Sequence, residues 1–357
     1  MANEKKCIPV VIPTLNRYEH LKRCIESLQR NSLSDQTEIY ISVDYPPSEK
    51  YVDGWMKIKH FLQKGVDGFK NVNVFYQEDN LGAHDNFVFL TNKVSTKYDV
   101  WISSEDDNEF SPNYLTYINQ AVEYMKNDDS IYSVCGHLSF SDQNVLDTIS
   151  ADGYNCFRIQ TLDAWGHAYL AERRKRFRDE IGFDYLRNIL LDKTKRNKLK
   201  KHSRDLYRYC VFGMLGKIDS MLSKDKSEIV TMDITAGIYM IMNDMYQIQP
   251  VISKVRNWGN DGSGIHCGID ASIQKQTIDD KNEFELKLAP IEIYKEEIEK
   301  SILGRVKRWN SQYLIACFLN IVFCLCGKKM AGLCYDLIFA LYDFFKRVRS
   351  GKAGNKM

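Results

Sequence analysis

Residues 7–28, CIPVVIPTLNRYEHLKRCIESL, decide the fold class because they join two different hydrophobic periodicities. The segment from Ile8 to Pro13 is a short apolar run rich in β-branched residues, which predicts a buried strand. Apolar residues then recur at positions 21, 24, 25 and 28, which lie on one face of a helix. Asn16 and Glu19 have the spacing of a capping box, so Asn16 is expected to be the helix N-cap. A strand followed by a helix is the repeating unit of parallel α/β sheets.

The alternation of strand and helix continues to residue 136. Strands are expected at 38–43, 72–76, 100–103 and 131–136, and helices at 52–63, at 84–94 and after Pro112. This pattern predicts an α/β fold with a mostly parallel sheet flanked by helices. In such sheets, ligands bind at the carboxyl ends of the strands.

Composition excludes several classes of protein. The 357 residues are 44% hydrophobic and 27% charged, with 7 prolines and 20 glycines, so a disordered or collagen-like chain is excluded. The length suits one large domain or two fused subdomains. The formal net charge of +2 provides no overall field that attracts nucleic acid, and we expect no nucleic-acid partner.

The cysteines and the first residues bear on the cellular compartment. The 10 cysteines form no CxxC pair and no regular framework, so they are expected to be reduced thiols. The apolar run near the start is broken by Pro9, Pro13 and Asn16, which disfavours a signal peptide. These features predict a cytoplasmic protein.

The strongest candidate site is the segment VWISSEDDNEFSPNYL at residues 100–115, in which a predicted strand leads into Glu105, Asp106 and Asp107. Adjacent carboxylates repel one another, and a bound cation or polar ligand relieves that repulsion. Their hard oxygen atoms suit Mg²⁺ or Mn²⁺. A solvated acidic turn that caps the next helix is the structural alternative.

Polar residues at other predicted strand ends favour a ligand site. The carboxyl ends of parallel strands meet at one sheet edge, so these residues are expected to lie near the acidic segment. They are Thr14, Asn16 and Arg17 after the first strand, Asp44 after the second, and Asn80, Gly82 and His84 after the third. Each of these residues alone is explained by an ordinary structural role in a turn or a helix cap, but together they favour a nucleotide site.

The order PVVIPTLNRYEHLKRCIESL, ISVD and ISSEDD resembles the nucleotide-sugar half of a GT-A-fold (Rossmann-like) glycosyltransferase of the family 2 kind. The EDD form is also similar to that of N-acetylglucosaminyltransferase I. The resemblance covers residues 7–137. It implies that Asp107 binds a divalent metal on the diphosphate, while Glu105 and Asp106 contact sugar and ribose. It further implies that residues of the other strand ends surround the nucleoside and phosphates: Thr14, Arg17, Asp44 and His84.

Two segments of the second half are similar to bacterial members of this group. DAWGHAYLAERRKRF, from Asp163, resembles the acceptor-side stretch in which Trp165 and Gly166 would line the donor-sugar pocket. RNWGNDGSGIHCG, residues 256–268, resembles the glycine-rich loop over the diphosphate. Glycines there let the backbone approach a ligand closely. Those glycines are Gly259, Gly262 and Gly264, and polar contacts are expected from Asp261, Ser263 and His266, of which His266 is also a candidate metal ligand.

Inverting glycosyl transfer needs a general base at the acceptor hydroxyl. The resemblance points to Asp233, although Met232 stands where related sequences have an aromatic residue. The alternatives are Asp163 and Asp270. A helix N-terminal cap is the structural alternative for Asp233.

These observations predict a metal-dependent inverting glycosyltransferase that uses Mn²⁺ or Mg²⁺. It would move a sugar from a nucleotide-diphosphate donor, UDP by default, to a glycan or lipid-linked acceptor in polysaccharide biosynthesis. One alternative is a sugar-nucleotide nucleotidyltransferase, which is disfavoured because no glycine precedes Gly54 to form a phosphate loop. Another is a non-catalytic membrane adaptor that keeps the fold.

The predicted organisation is a donor half at 1–138, an acceptor half at 139–278, a linker at 279–300 and an apolar, basic helical tail at 301–350. The apolar stretches 313–326 and 330–345 are each shorter than a membrane span and are flanked by Lys and Arg. They predict a helical appendage that contacts an anionic membrane surface, on the cytoplasmic face, as a peripheral anchor. Packing on the protein itself or on a twin subunit is the alternative, as is a solvated helix face for the basic clusters at 172–204.

Overall fold

Residues 7–28 form the predicted strand β1 (Val10–Thr14) and helix α1 (Tyr18–Gln29). This computed structural model describes residues 7–223, 225–230, 233–263, 269, 275–306 and 311–353, with side chains described except at 303–306 and 343–353. The predicted capping box is wrong, because Arg17 takes the N-cap position and no side chain caps the helix. The Arg17 side chain instead pairs with the carboxylates of Asp106 and Asp107.

The remaining elements follow the predicted alternation and then extend it. The strands are β2 (Glu38–Val43), β3 (Asn71–Tyr76), β4 (Val100–Ser103), β5 (Asn108–Phe110), β6 (Ile131–Cys135), β7 (Cys156–Ile159), β8 (His167–Leu170), β9 (Tyr246–Pro250) and β10 (Val255–Asn257). The helices are α2 (Val52–Gln63), α3 (Ala83–Ser95), α4 (Tyr114–Lys126), α5 (Gln143–Ala151), α6 (Ala171–Glu180), α7 (Phe183–Leu191), α8 (Lys193–His202), α9 (Arg204–Met214), α10 (Asp233–Met242), α11 (Ile291–Val306) and α12 (Ser311–Ala353).

The chain divides into two compact units. The sheet unit comprises residues 1–176 and 244–298, and the helical unit comprises residues 177–243 and 299–357. The assignment of donor, acceptor, linker and tail segments stays a prediction.

The described residues of the sheet unit form an eight-stranded sheet in the order β3-β2-β1-β4-β8-β6-β9-β7. Strands β3, β2, β1 and β4 run parallel, β8 is antiparallel to both of its neighbours, and β6 pairs with β9 in parallel. Strands β5 and β10 form a separate antiparallel ribbon. This arrangement confirms the predicted α/β class with a mainly parallel sheet.

The core of the sheet unit lies between the sheet and its helices. Helix α1 buries Leu21, Cys24, Ile25 and Leu28, the face that the spacing predicts. Helix α4 contributes the fully buried rings of Tyr114 and Tyr117. Each large apolar side chain that is buried this way stabilises the fold by about 1.5–3 kcal/mol. The packing fixes the strand ends where the polar residues lie.

The helical unit is built around α9, which contacts α7, α8, α10 and α12. Helix α12 holds both apolar stretches, and a non-helical Gly327 (φ 83°, ψ 176°) separates them. The rings of Phe212 on α9 and Tyr335 on α12 pack edge to face, with centroids 5.1 Å apart. The apolar helical appendage is therefore present, as two helical segments joined at Gly327.

Candidate active site at the carboxyl edge of the sheet

The acidic segment lies where β1 and β4 end side by side, because these strands are parallel neighbours. Thr14, the last residue of β1, donates a hydrogen bond from Oγ1 to Asp106 Oδ2 at 2.7 Å. Asp106 and Asp107 are only 3% and 5% exposed, whereas Glu105 is exposed. Asp106 and Asp107 are therefore buried at the edge of the sheet, and the alternative of a solvated acidic turn is wrong for these two residues.

Arg17 bridges both buried carboxylates. Its guanidinium pairs with Asp106 Oδ1 through one nitrogen and with Asp107 Oδ2, at 2.6 Å, through the other. Burial works against the charge on Arg17, but the two carboxylates outweigh burial and raise its pKa. Burial also raises the pKa of Asp106 above its ordinary value, and the adjacent Asp107 adds to the rise while Arg17 opposes it. A fixed cation thus compensates much of the negative charge that the segment carries.

The end of β10 and the residues after it pack against Asp107, although they lie 150 residues further along the chain. Asn257 Nδ2 donates to Asp107 Oδ1 at 2.7 Å and lies 3.3 Å from Glu105 Oε2. The backbone N–H of Trp258 donates to the carbonyl of Asp107 at 2.9 Å. A Cβ atom at Gly259 would overlap Asp107 Oδ2, so only glycine lets the backbone come this close. The first part of the predicted glycine-rich loop is therefore packed on the acidic segment.

Two buried asparagines near this cluster in the chain each have an Nδ2 group that is unpaired among the described residues. Asn108 Nδ2 and Asn260 Nδ2 make no hydrogen bond to any of the described residues, although Asn108 is fully buried and Asn260 is 7% exposed. An unpaired buried amide costs free energy unless a ligand or water satisfies it. These donors therefore fit a ligand with acceptor oxygens.

Asp44, at the end of β2, is buried and organises the neighbouring loop. Its Oδ1 accepts from the Leu81 N–H at 2.8 Å, and its Oδ2 accepts from the Gly82 N–H at 2.9 Å and from Asn80 Nδ2 at 3.1 Å. Asp44 thus ties the end of β2 to the start of α3, whose second residue is the exposed His84. The predicted contacts of Asp44 and His84 with the nucleoside stay predictions.

Asp163 holds a second cluster after β6. Its Oδ2 lies 2.9 Å from Nδ1 of His137, and its Oδ1 accepts from the backbone N–H of Trp165 at 3.1 Å. The rings of His137 and Trp165 are in edge contact, with centroids 4.5 Å apart. Because both oxygens already accept hydrogen bonds, Asp163 is placed to orient His137 and Trp165.

Gly166 has a positive φ of 60°, and a Cβ atom there would clash with Val255 and Phe110. Its carbonyl accepts from the Gly136 N–H at 2.8 Å. Glycine therefore lets the loop after Asp163 pack against the β5–β10 ribbon. The pocket-lining role of Trp165 and Gly166 stays a prediction.

The other sequence candidates lie as follows. The carbonyl of Asn16 packs against Gly54 of α2. Ser263 is exposed, and its Oγ lies 3.3 Å from His20 Nε2, which also pairs with Asp261 at 3.0 Å. Asp233 is the exposed first residue of α10 in the helical unit. Gly264, His266 and Asp270 lie outside the described residues.

Within the described part of the chain, no group of three or more His, Cys, Asp or Glu side chains is arranged to hold a metal ion. The donor set nonetheless fits a hard divalent cation. Mg²⁺ is usually held by one or two carboxylates together with substrate phosphates and water. The carboxylate of Asp107 lies at the edge, where its Oδ1 accepts from Asn257 and its Oδ2 pairs with Arg17. The predicted role of Asp107 as the metal ligand stays a prediction.

Sequence reasoning missed Asn257 and His137. His137 follows β6 by two residues, so the same strand-end rule would have found it. Asn257 could not be found this way, because it reaches Asp107 only through the pairing of β10 with β5.

A comparison with protein families finds one that matches this chain. The model of the family described as Glycosyl transferase family 2 matches residues 10–202, more than half of the chain. No curated protein matches the sequence.

Two solved structures illustrate the likeness. The chain is similar to the mannosyltransferase PcManGT from Pyrobaculum calidifontis in complex with GDP-Man and Mn²⁺, with 12% identity and a TM-score of 0.33, over 48% of this chain and 46% of that one. It is also similar to S. aureus TarS 1–349 in complex with UDP, with 14% identity and a TM-score of 0.27, over 36% of this chain and 34% of that one. The chain spans less than half the length of either protein.

Proposed function

We propose that this chain, a glycosyltransferase that belongs to glycosyl transferase family 2, uses a nucleoside-diphosphate sugar and a divalent metal. The donor is proposed to be a UDP-sugar, and the sugar moves with inversion to a hydroxyl of a glycan or a lipid-linked acceptor. The proposed setting is polysaccharide biosynthesis. Residues 1–138 would bind the donor and residues 139–278 the acceptor.

One observation carries the proposal. Buried carboxylates, a fixed guanidinium and unpaired amides converge at the carboxyl edge of a parallel sheet, from segments that are about 90 to 150 residues apart in the chain. A diphosphate has many acceptor oxygens and needs cations and N–H donors around it. Arg17, Asn108 and Asn260 are groups of that kind.

The proposed reaction forms a bond between the acceptor oxygen and the anomeric carbon while the bond from that carbon to the diphosphate breaks. The acceptor hydroxyl loses its proton to a general base, for which Asp233 is the candidate. The nucleoside diphosphate leaves with the electron pair. When bound, a divalent metal stabilises the negative charge of that leaving group. Arg17 is proposed to contact the phosphates as well as to neutralise Asp106 and Asp107.

Asp163 is assigned a different task. Its hydrogen bonds to His137 and to the Trp165 backbone support a role in shaping the sugar pocket. A rigid aromatic ring beside polar groups is a suitable surface for a sugar. Glu105, which is exposed at the edge, is proposed to contact the sugar or ribose together with Asp106.

The proposed location is the cytoplasmic face of a membrane, where lipid-linked acceptors are confined to the same surface as the enzyme. The C-terminal tail at 301–350 supports this location. Among the described helices, the stretch Ser311–Tyr342 is long and apolar enough to cross a membrane by length and composition. Only 28% of its most apolar 18-residue segment is buried in the protein. The break at Gly327 leaves 16 residues before it, about 24 Å of helix, which favours a helix lying in the interface.

A screen of nucleoside diphosphates and nucleotide sugars by thermal unfolding tests donor binding. At 100 times its dissociation constant a bound donor should add roughly 2.7 kcal/mol to the free energy of unfolding. We expect the largest rise in Tm with a uridine nucleotide in the presence of Mn²⁺, and a smaller rise after chelation. A protein whose Tm no nucleotide shifts, with or without metal, would contradict the proposed donor.

A further inference from the structure

The two units of the chain have net charges of opposite sign, which nearly cancel in the whole protein. The helical unit carries 24 Lys and Arg against 12 Asp and Glu, whereas the sheet unit carries 25 against 35. A net positive unit is attracted to anionic surfaces, and a net negative unit is repelled by them. The helical unit is therefore the part of this chain that suits an anionic partner.

Helix α8 concentrates this charge. Its sequence KTKRNKLKKH has six Lys and Arg among its ten residues and buries only Leu199. Lys193, Lys195 and Lys201 are exposed, and none of them forms a salt bridge with the described residues. The positive charges of α8 destabilise one another, since like charges three or four residues apart on a helix repel. The crowding is relieved when an anionic partner is near.

Helix α12 of the same unit exposes apolar residues in two stripes. Leu314, Phe318, Ile321 and Leu325 are 48–78% exposed and follow helical spacing before Gly327. Met330, Leu333, Leu337 and Leu341 are 47–63% exposed and follow the same spacing after it. The opposite side is buried, with Ala316, Leu319 and Ala331 at 0%. Regular exposed stripes of this length mark an interaction surface.

Side-chain contacts connect α8 to the start of α12. Lys200 lies over the ring of Tyr207 on α9, with its Nζ 4.6 Å from the ring centroid. The ring of Tyr207 packs edge to face on Tyr313, with centroids 5.8 Å apart. Tyr313 immediately precedes the first exposed residue of the stripe, Leu314. Two side-chain contacts therefore connect the C-terminal part of α8 to the start of the apolar stripe.

We infer that α8 makes an electrostatic contact with an anionic lipid surface, in addition to the apolar contact that the stripes of α12 make with the same surface. This inference rests on the proposed function only for the membrane location. Lipid headgroups suit the lysines, and the acyl-chain boundary suits the exposed leucines. A soluble polyanion provides no partner for the apolar stripes. The combination of both surfaces in one unit favours a membrane over such a polymer.

The test is flotation of the full-length protein with vesicles, in the absence of any nucleotide sugar, so that it does not depend on catalysis. The variant K193Q/K195Q/K201Q is compared with the control variant K50Q/K57Q/K64Q. The control replaces three exposed lysines of the sheet unit and so loses the same amount of positive charge. Each lysine near an anionic surface contributes about fivefold, so we expect roughly 100-fold weaker binding to phosphatidylglycerol-containing vesicles for the α8 variant alone. Binding to pure phosphatidylcholine vesicles should be weak and equal for both variants.

A charge-retaining variant, K193R/K195R/K201R, should bind like the wild type. Unchanged flotation of K193Q/K195Q/K201Q, an equal loss in the control variant, or a loss in the arginine variant would overturn the inference. Retained vesicle binding by the α8 glutamine variant together with lost binding to heparin would assign α8 to a polyanion instead. Because donor binding and transfer are measured separately, failure of this inference is distinguishable from failure of the proposed enzyme activity.

Discussion

Replacing Asp107 with asparagine is expected to abolish the metal-dependent binding of a nucleoside diphosphate. The amide keeps the size of the side chain but loses the negative charge that a divalent cation requires. The stabilisation of roughly 2.7 kcal/mol expected for wild type at saturating UDP and Mn²⁺ should disappear. The fold should persist, because Arg17 still pairs with Asp106. Isothermal titration and thermal unfolding with and without Mn²⁺ measure both effects.

Glu109→Gln is the matched control for this experiment. Glu109 lies two residues away on β5, and its carboxylate accepts from Nε1 of Trp258, the residue after β10, at 2.8 Å. Loss of this carboxylate should leave the metal dependence of donor binding unchanged. An Asp107→Asn variant that still binds UDP more tightly with Mn²⁺ than without would remove Asp107 from the metal site.

Replacing Asp233 with asparagine is expected to lower turnover by roughly 10²-fold or more, the usual contribution of a general base. Donor affinity should not change, because the base acts on the acceptor hydroxyl. Steady-state kinetics with a saturating donor, alongside donor titration, separates the two quantities. Asp219→Asn, an exposed acidic residue of the same unit that pairs with Lys226, is the control and should turn over normally.

Asp163→Asn gives a second, different signature. Since Asp163 accepts from His137, Trp165 and Cys135, its loss should raise the KM for the donor and lower Tm. If Asp233→Asn keeps full turnover while a folded Asp163→Asn variant is inactive, the base is Asp163.

The residues at the carboxyl edge of the sheet are largely predictable from the sequence, because parallel strands bring their carboxyl ends together whatever the conformation of the loops. That single rule places Thr14, Asp44 and the acidic segment in one region, and the structure agrees. The hydrophobic periodicity likewise predicts β2, α2 and β4 to the residue. These features depend on local pattern and on sheet topology alone.

Other features depend on distant pairing and are not predictable from local pattern. The ion pairs of Arg17 are an example. Its position directly after Asn16 predicts that it lies at a helix start, but does not predict that it pairs with Asp106 and Asp107. The contact of Asn257 with Asp107 likewise requires the β5–β10 ribbon. The charge division between the units requires the fold, since residues 177–243 and 299–357 are separated by a segment of the sheet unit.

The most direct test of the central claim is the product released when the full-length protein is incubated with UDP-sugars, Mn²⁺ and a lipid or glycan acceptor. A glycosyltransferase releases UDP, in amounts equal to the sugar transferred, and the Asp107→Asn variant should release none. Formation of UTP from UDP-sugar and pyrophosphate would identify a nucleotidyltransferase. Absence of any metal-dependent turnover of a nucleotide sugar by the wild type, with intact folding, would contradict the account.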